Sequence, residues 1–116
     1  MKNFILVLSF VVLCLSDATA KDAAPSKGEI IFKEKSCVLC HKKGADTIGP
    51  ALMTIAKAYL GKEASLFDYL KGQGKPIVEP LRAPFMNPQL LKIRTLSDED
   101  MKAVATYIIS SSDRPL

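Results

Sequence analysis

The residues in this chain best suited to chemistry stand together. Cys37, Cys40 and His41 form the stretch CVLCH, and His41 is the sole histidine of the 116 residues. Cys-x-x-Cys-His fits three uses: a redox dithiol, part of a zinc site, or the anchor of a covalently held haem. A structural zinc site needs four ligands, and this stretch offers three at most, with no further histidine to complete the set. A thioredoxin-like dithiol sits in a βαβ context, and no segment here reads convincingly as a strand. Cys-x-x-Cys-His is the attachment signature of c-type haem. The spacing suits it, because two thiols a turn apart reach the two vinyl groups of one porphyrin and the next residue turns its imidazole to the iron. The expected cofactor is one covalently attached haem c.

The second axial ligand distinguishes an electron carrier from a haem enzyme, since a His/Met pair closes the iron and raises its potential. Apart from Met1, the candidates are Met53, Met86 and Met101. Met53 and Met101 fall on apolar helical faces and read as core packing. Met86 lies between Pro84 and Pro88, where a stiffened loop would present it, and it is the expected ligand. A peroxidase or gas sensor would want a distal acid-base group, and there is no second histidine to serve.

Several elements must position these residues. Lys2, the apolar run 4–15 and the small residues Ala18 to Ala20 read as a secretory signal, giving a division into a signal peptide 1–20 and a domain 21–116. Removal of that segment takes Cys14 with it and leaves Cys37 and Cys40 as the only thiols. A disulfide between these two would close too small a ring to stabilise much. Ser26 and Glu29 form a capping box for a helix over 27–36, in which Gly28 is expected to permit close packing. Pro50 marks the first turn of a second helix, carrying Leu52, Ile55, Ala56 and Tyr59 on one side and stopped by Gly61. A third helix over 63–71 buries Leu66, Phe67 and Leu70. The run 72–88, with prolines at 76, 80, 84 and 88, reads as a long loop. A last helix is capped by Ser97 and buries Met101, Val104, Ala105, Ile108 and Ile109.

The net charge of +4 is mild. It suits an acidic protein partner and lacks the arginine-rich, aromatic-interleaved pattern of nucleic-acid binding. Four short helices bury little surface, so a cofactor in the core is the expected stabiliser.

CVLCH, the Gly49-Pro50 pair, the stretch FMNP at 85–88 and the closing LSDEDMKAVATYI resemble the class I cytochrome c family. The resemblance is to its short bacterial single-haem group, which includes cytochromes c-551, c-552 and c-555, and most of all to the c-555 type. It covers 28–111 and implies an all-α fold of about four short helices around one haem. It implies crossing first and last helices, with Gly28 and Phe32 meeting Tyr107. It implies thioethers at Cys37 and Cys40, axial ligands His41 and Met86, and a Pro50 carbonyl that accepts a bond from His41. The expected function is that of a soluble periplasmic one-electron carrier, a monomer and not an enzyme, without small-molecule substrate. It would serve a respiratory or sulfur-oxidation chain and dock on acidic redox partners through Lys33, Lys35, Lys42 and Lys43. The alternative is a haem c subunit of a larger dehydrogenase. Apolar residues expected around the haem are Phe32, Leu52, Ile55, Leu66, Leu70, Met101 and Ile108.

Overall fold

The computed structural model describes residues 24–113; the expected signal segment lies outside them. Five α-helices follow one another: α1 Lys27–Glu34, α2 Leu52–Tyr59, α3 Glu63–Leu70, α4 Ala83–Ile93 and α5 Asp98–Ser110. Single 3-10 turns occur at Cys37–Leu39, Pro80–Arg82 and Ser111–Asp113, and no strand occurs among the described residues.

The longest helix, α5, is the hub on which α1, α2 and α3 pack. Its start is fixed as the sequence predicts, with Ser97 Oγ accepting from Asp100 N–H at 3.1 Å. Acidic residues fill its first turn, where the helix dipole favours them. Lys27 of α1 reaches Glu99 and Asp100 at 2.8 and 2.7 Å, and Lys71 reaches Asp98 at 2.8 Å. Met101, Val104, Ala105, Ile108 and Ile109 are all buried, the expected face.

The first helix crosses α5 at Gly28. A Cβ there would overlap the carbonyl of Ala103 and lie 2.8 Å from Tyr107 Cβ, so only glycine allows this approach. One turn on, the Phe32 and Tyr107 rings meet at 5.4 Å, tilted by 60°. Ser26 Oγ caps α1 at Glu29 N–H as expected, at 3.1 Å. The helix ends earlier than predicted, at Glu34, because Ser36 turns into the left-handed region (φ 62°) to start the Cys37 turn.

Two further expectations are corrected. Pro50 is not in the first turn of α2. It precedes Ala51, whose extended backbone (ψ 149°) delays the helix to Leu52. The predicted loop 72–88 is helical from Ala83, so the described residues hold five α-helices where about four were expected. Pro84 falls in the first turn of α4, where its missing N–H costs nothing, and Leu90 and Ile93 anchor the helix in the core. Pro80 likewise opens a 3-10 turn.

Candidate haem site

The Cys-x-x-Cys-His segment is wound tightly. Leu39 N–H bonds Ser36 O, and both Cys40 N–H and His41 N–H bond Cys37 O, at 3.0–3.2 Å. This winding brings Cys37, Cys40 and His41 to one cavity of about 350 Å³. Both thiols are free and half-buried. Burial pushes the Cys37 thiol up.

After His41 the chain folds back on itself. Gly49 N–H and Thr47 Oγ1 donate to Cys40 O at 2.9 and 3.2 Å. Leu52 N–H and Met53 N–H donate to the carbonyls of Lys42 and Lys43, so loop backbone satisfies the first amides of α2. The fold-back places Pro50 O at 2.8 Å from His41 Nδ1. A carbonyl only accepts, so the bond sets the proton on Nδ1 and leaves Nε2 for a metal. Gly49 lies against the imidazole, and a Cβ there would be 2.7 Å from His41 Cε1. Residue 49 must therefore lack a side chain for the ring to stand where it does.

Met86 lines the same cavity from α4 and is half-buried. It is carried on a helix, not on the expected loop. Arg82, just before α4, donates from Nη2 to Ile48 O at 2.6 Å and from Nη1 to Glu79 at 3.1 Å. The methionine-bearing helix is thereby tied to the loop that orients His41. Among the described residues, the two non-glycine ones with positive φ, Ser36 and Glu79, stand at the entrances to these two segments. Strain of this kind costs about 1–3 kcal/mol per residue and collects at functional sites.

The other methionines are elsewhere. Met101 is 1 % exposed, in the core and off the cavity. Met53 also misses the cavity, but it is half-buried outside the core rather than within it. Of the expected apolar lining, Phe32, Ile55, Leu66, Leu70 and Ile108 face the cavity. Leu52 and Met101 pack behind it instead, because they join the core around α5. Sequence reasoning missed Tyr59 and Tyr69, which also line the cavity and whose phenols burial pushes up. It missed Arg82 and Asp46 as well. The Asp46 carboxylate accepts from Ala51 N–H at 2.7 Å.

This site fits a covalently bound haem. Two free thiols, an imidazole with Nε2 available and a thioether share one cavity with largely apolar walls, and Gly49 clears the space beside the ring. Comparison with known proteins agrees. The cytochrome c family model matches residues 25–112. The chain is 30 % identical over 110 residues to cytochrome c-552 of Hydrogenobacter thermophilus, covering 95 % of this chain and 98 % of the relative. It is 26 % identical over 102 residues to cytochrome c-551 of Pseudomonas aeruginosa, covering 85 % and 90 %. It is 29 % identical over 103 residues to cytochrome c-551 of Stutzerimonas stutzeri, covering 85 % and 91 %. A haem signature at the one histidine, an all-helical fold closing over it and a family match across nearly all the described residues converge: the chain belongs to the cytochrome c family, and its cofactor is covalently bound haem c.

Proposed function

We propose that the protein is an exported, soluble one-electron carrier of the periplasm, with residues 1–20 as its signal and 21–116 as its working domain. In this reading Cys37 and Cys40 would hold the haem by thioethers, and His41 Nε2 and Met86 Sδ would ligate its iron. When bound, the haem supplies a one-electron couple at its iron. The chain supplies the rest. Pro50 O keeps His41 in one tautomer and one orientation. The apolar walls disfavour the extra positive charge of the ferric state, which adds to the effect of Met86 in raising the potential. With both of these side chains on the iron, no open site would be left for a substrate.

The observation that carries this reading is the sharing of one cavity by Cys37, Cys40, His41 and Met86. Its mouth suits brief contact with a redox partner. Ile48 and Phe85 line it and are 70 % and 80 % exposed. Lys42 and Lys43 follow directly on His41 and are exposed, as an acidic partner would require. Lys33 is engaged with Glu29 at 2.8 Å, so its charge is partly neutralised before any partner arrives.

The test is a visible spectrum of the purified holoprotein, oxidised and reduced, beside Met86→Ala and Met53→Ala. The wild type should show a c-type haem and the weak ferric band near the red end that marks methionine ligation. Met86→Ala should abolish that band and lower the potential. Met53→Ala should leave both in place. A Met86→Ala protein that keeps the band refutes the ligand assignment. Gel filtration of the native extract separates a free carrier from a subunit of a larger dehydrogenase.

A further inference from the structure

The loop between His41 and α2 contains a hydrogen bond that none of the roles above uses. Asp46 Oδ1 accepts from Ala51 N–H at 2.7 Å. That N–H and the Pro50 carbonyl are the two ends of one peptide group. The Pro50 carbonyl in turn accepts from His41 Nδ1–H at 2.8 Å. A single planar amide thus stands between a carboxylate and the imidazole, hydrogen-bonded at both ends. Amide resonance couples those ends. An anion at the N–H draws the nitrogen lone pair toward the oxygen, and the carbonyl becomes a stronger acceptor. Bonds in such chains strengthen one another, and those to charged groups are roughly twice as strong as neutral ones.

We propose that Asp46 is a positioning residue for His41, acting through the Pro50–Ala51 peptide to strengthen the Nδ1–H bond and raise the basicity of Nε2. This rests on His41 being an iron ligand. A more basic imidazole favours the ferric state, so Asp46 lowers the reduction potential against the apolar walls and Met86, which raise it. The alternative role for Asp46 is to cap α2. Ala51 is the residue preceding that helix, and Thr54 Oγ1 is also within 3.5 Å of Asp46 Oδ1. A capping bond needs an acceptor oxygen but no charge, and asparagine supplies that equally well. The loop does not depend on Asp46 for its path, since Thr47, Gly49, Leu52 and Met53 hold it by their own bonds.

Two substitutions isolate the effect. Asp46→Asn keeps an acceptor and removes the charge. Ala51→Pro keeps the charge and removes the N–H, at a residue whose φ of −59° suits proline. Both holoproteins are titrated for reduction potential at low and high salt, and the His41 Nδ1–H resonance is recorded in the ferrous protein. Each variant should shift the reduction equilibrium toward the ferrous state by about threefold, or about 28 mV for one electron. The shift should persist at high salt, and the Nδ1–H resonance should move upfield. Unchanged potentials overturn the proposal. So does a shift confined to Asp46→Asn that fades with salt and leaves the Nδ1–H resonance in place, which is the mark of a screened charge acting through space. A wild-type protein without a c-type haem spectrum would overturn the carrier reading itself, and this relay with it.

Discussion

Gly28→Ala should destabilise the protein far more than a single added methyl group suggests. The new Cβ would overlap Ala103 O, and would lie 2.6 Å from Ala103 C and 2.8 Å from Tyr107 Cβ. Non-bonded carbon atoms rest about 3.5–4.0 Å apart. None of these neighbours is the far end of a flexible side chain, so relief requires α1 and α5 to part by about 1 Å. Forced packing of this kind costs about 1–3 kcal/mol. Separation also loosens the Phe32–Tyr107 ring pair, a contact of about 0.5–1.5 kcal/mol. Alanine regains at most about 1 kcal/mol in helix propensity over glycine. With rigid backbone on the opposing side, the balance falls at about 2–3 kcal/mol of destabilisation. For a domain of this size each kcal/mol lowers Tm by about 4–8 °C, so the drop should be roughly 10–20 °C. Thermal unfolding of the holoprotein, followed by far-ultraviolet circular dichroism, measures it. A change below about 0.5 kcal/mol, or a gain, would refute the claim that the crossing depends on a missing Cβ.

The double variant Cys37→Ala, Cys40→Ala should lose the haem and leave a chain without cooperative melting, since the cavity between the helices would stay unfilled; a sharp calorimetric transition in the apoprotein would contradict this. Met101→Ala, in contrast, should keep the ferric red band while costing about 2–5 kcal/mol in urea unfolding, because Met101 is buried in the core and off the cavity. Reversal of Lys42 and Lys43 to Glu should slow electron transfer to an acidic partner at low salt and flatten its salt dependence in stopped flow, with the haem spectrum unchanged; equal low-salt rates would mean that the apolar rim alone guides docking. Lys71 holds the Asp98 carboxyl below the usual range, and Lys27 does the same for Asp100. Such depressed groups stabilise the fold above their unfolded values, and that contribution is lost as pH falls through the folded ones. An Asp98→Asn, Asp100→Asn variant should therefore lose less stability than the wild type between about pH 5 and about pH 2, as read from acid-unfolding curves.

The sequence showed the site's reactive residues plainly, because their spacing is chemistry that little else requires. It also showed α1 and α5, whose Ser26 and Ser97 caps and apolar stripes are local signals. The fourth helix was hidden by its own prolines. Pro84 and Pro88, with Pro76 and Pro80 just ahead of them, argue for a loop over 72–88, yet Pro80 and Pro84 open turns where no N–H is needed. The helical spacing of Met86, Leu90 and Ile93 was the countervailing signal. Asp46 and Arg82 could not be assigned from sequence. Their partners, Ala51 N–H and Ile48 O, are backbone groups brought close only by the folded path of the loop. The burial of Leu52 and Met101 behind the cavity, rather than along it, was equally invisible. Periodicity identifies an apolar face but not which part of that face meets a cofactor.

Pro88 lies inside α4 and has no N–H to offer the carbonyl of Pro84. The helix is thus two pieces of unequal security. The later piece is pinned by Leu90 and Ile93, at 2 % and 4 % exposure. The earlier piece carries Met86 and one rung fewer in its ladder. Its neighbours Phe85 and Asn87 face water, and Arg82 tethers its front. Opening of this turn exposes little core and breaks few bonds, whereas release of His41 would unravel the whole folded-back loop. Amide exchange across 83–87 should accordingly be the fastest of any helical segment around the cavity, and, with the ligands proposed above, small molecules that compete for iron should enter from the methionine side.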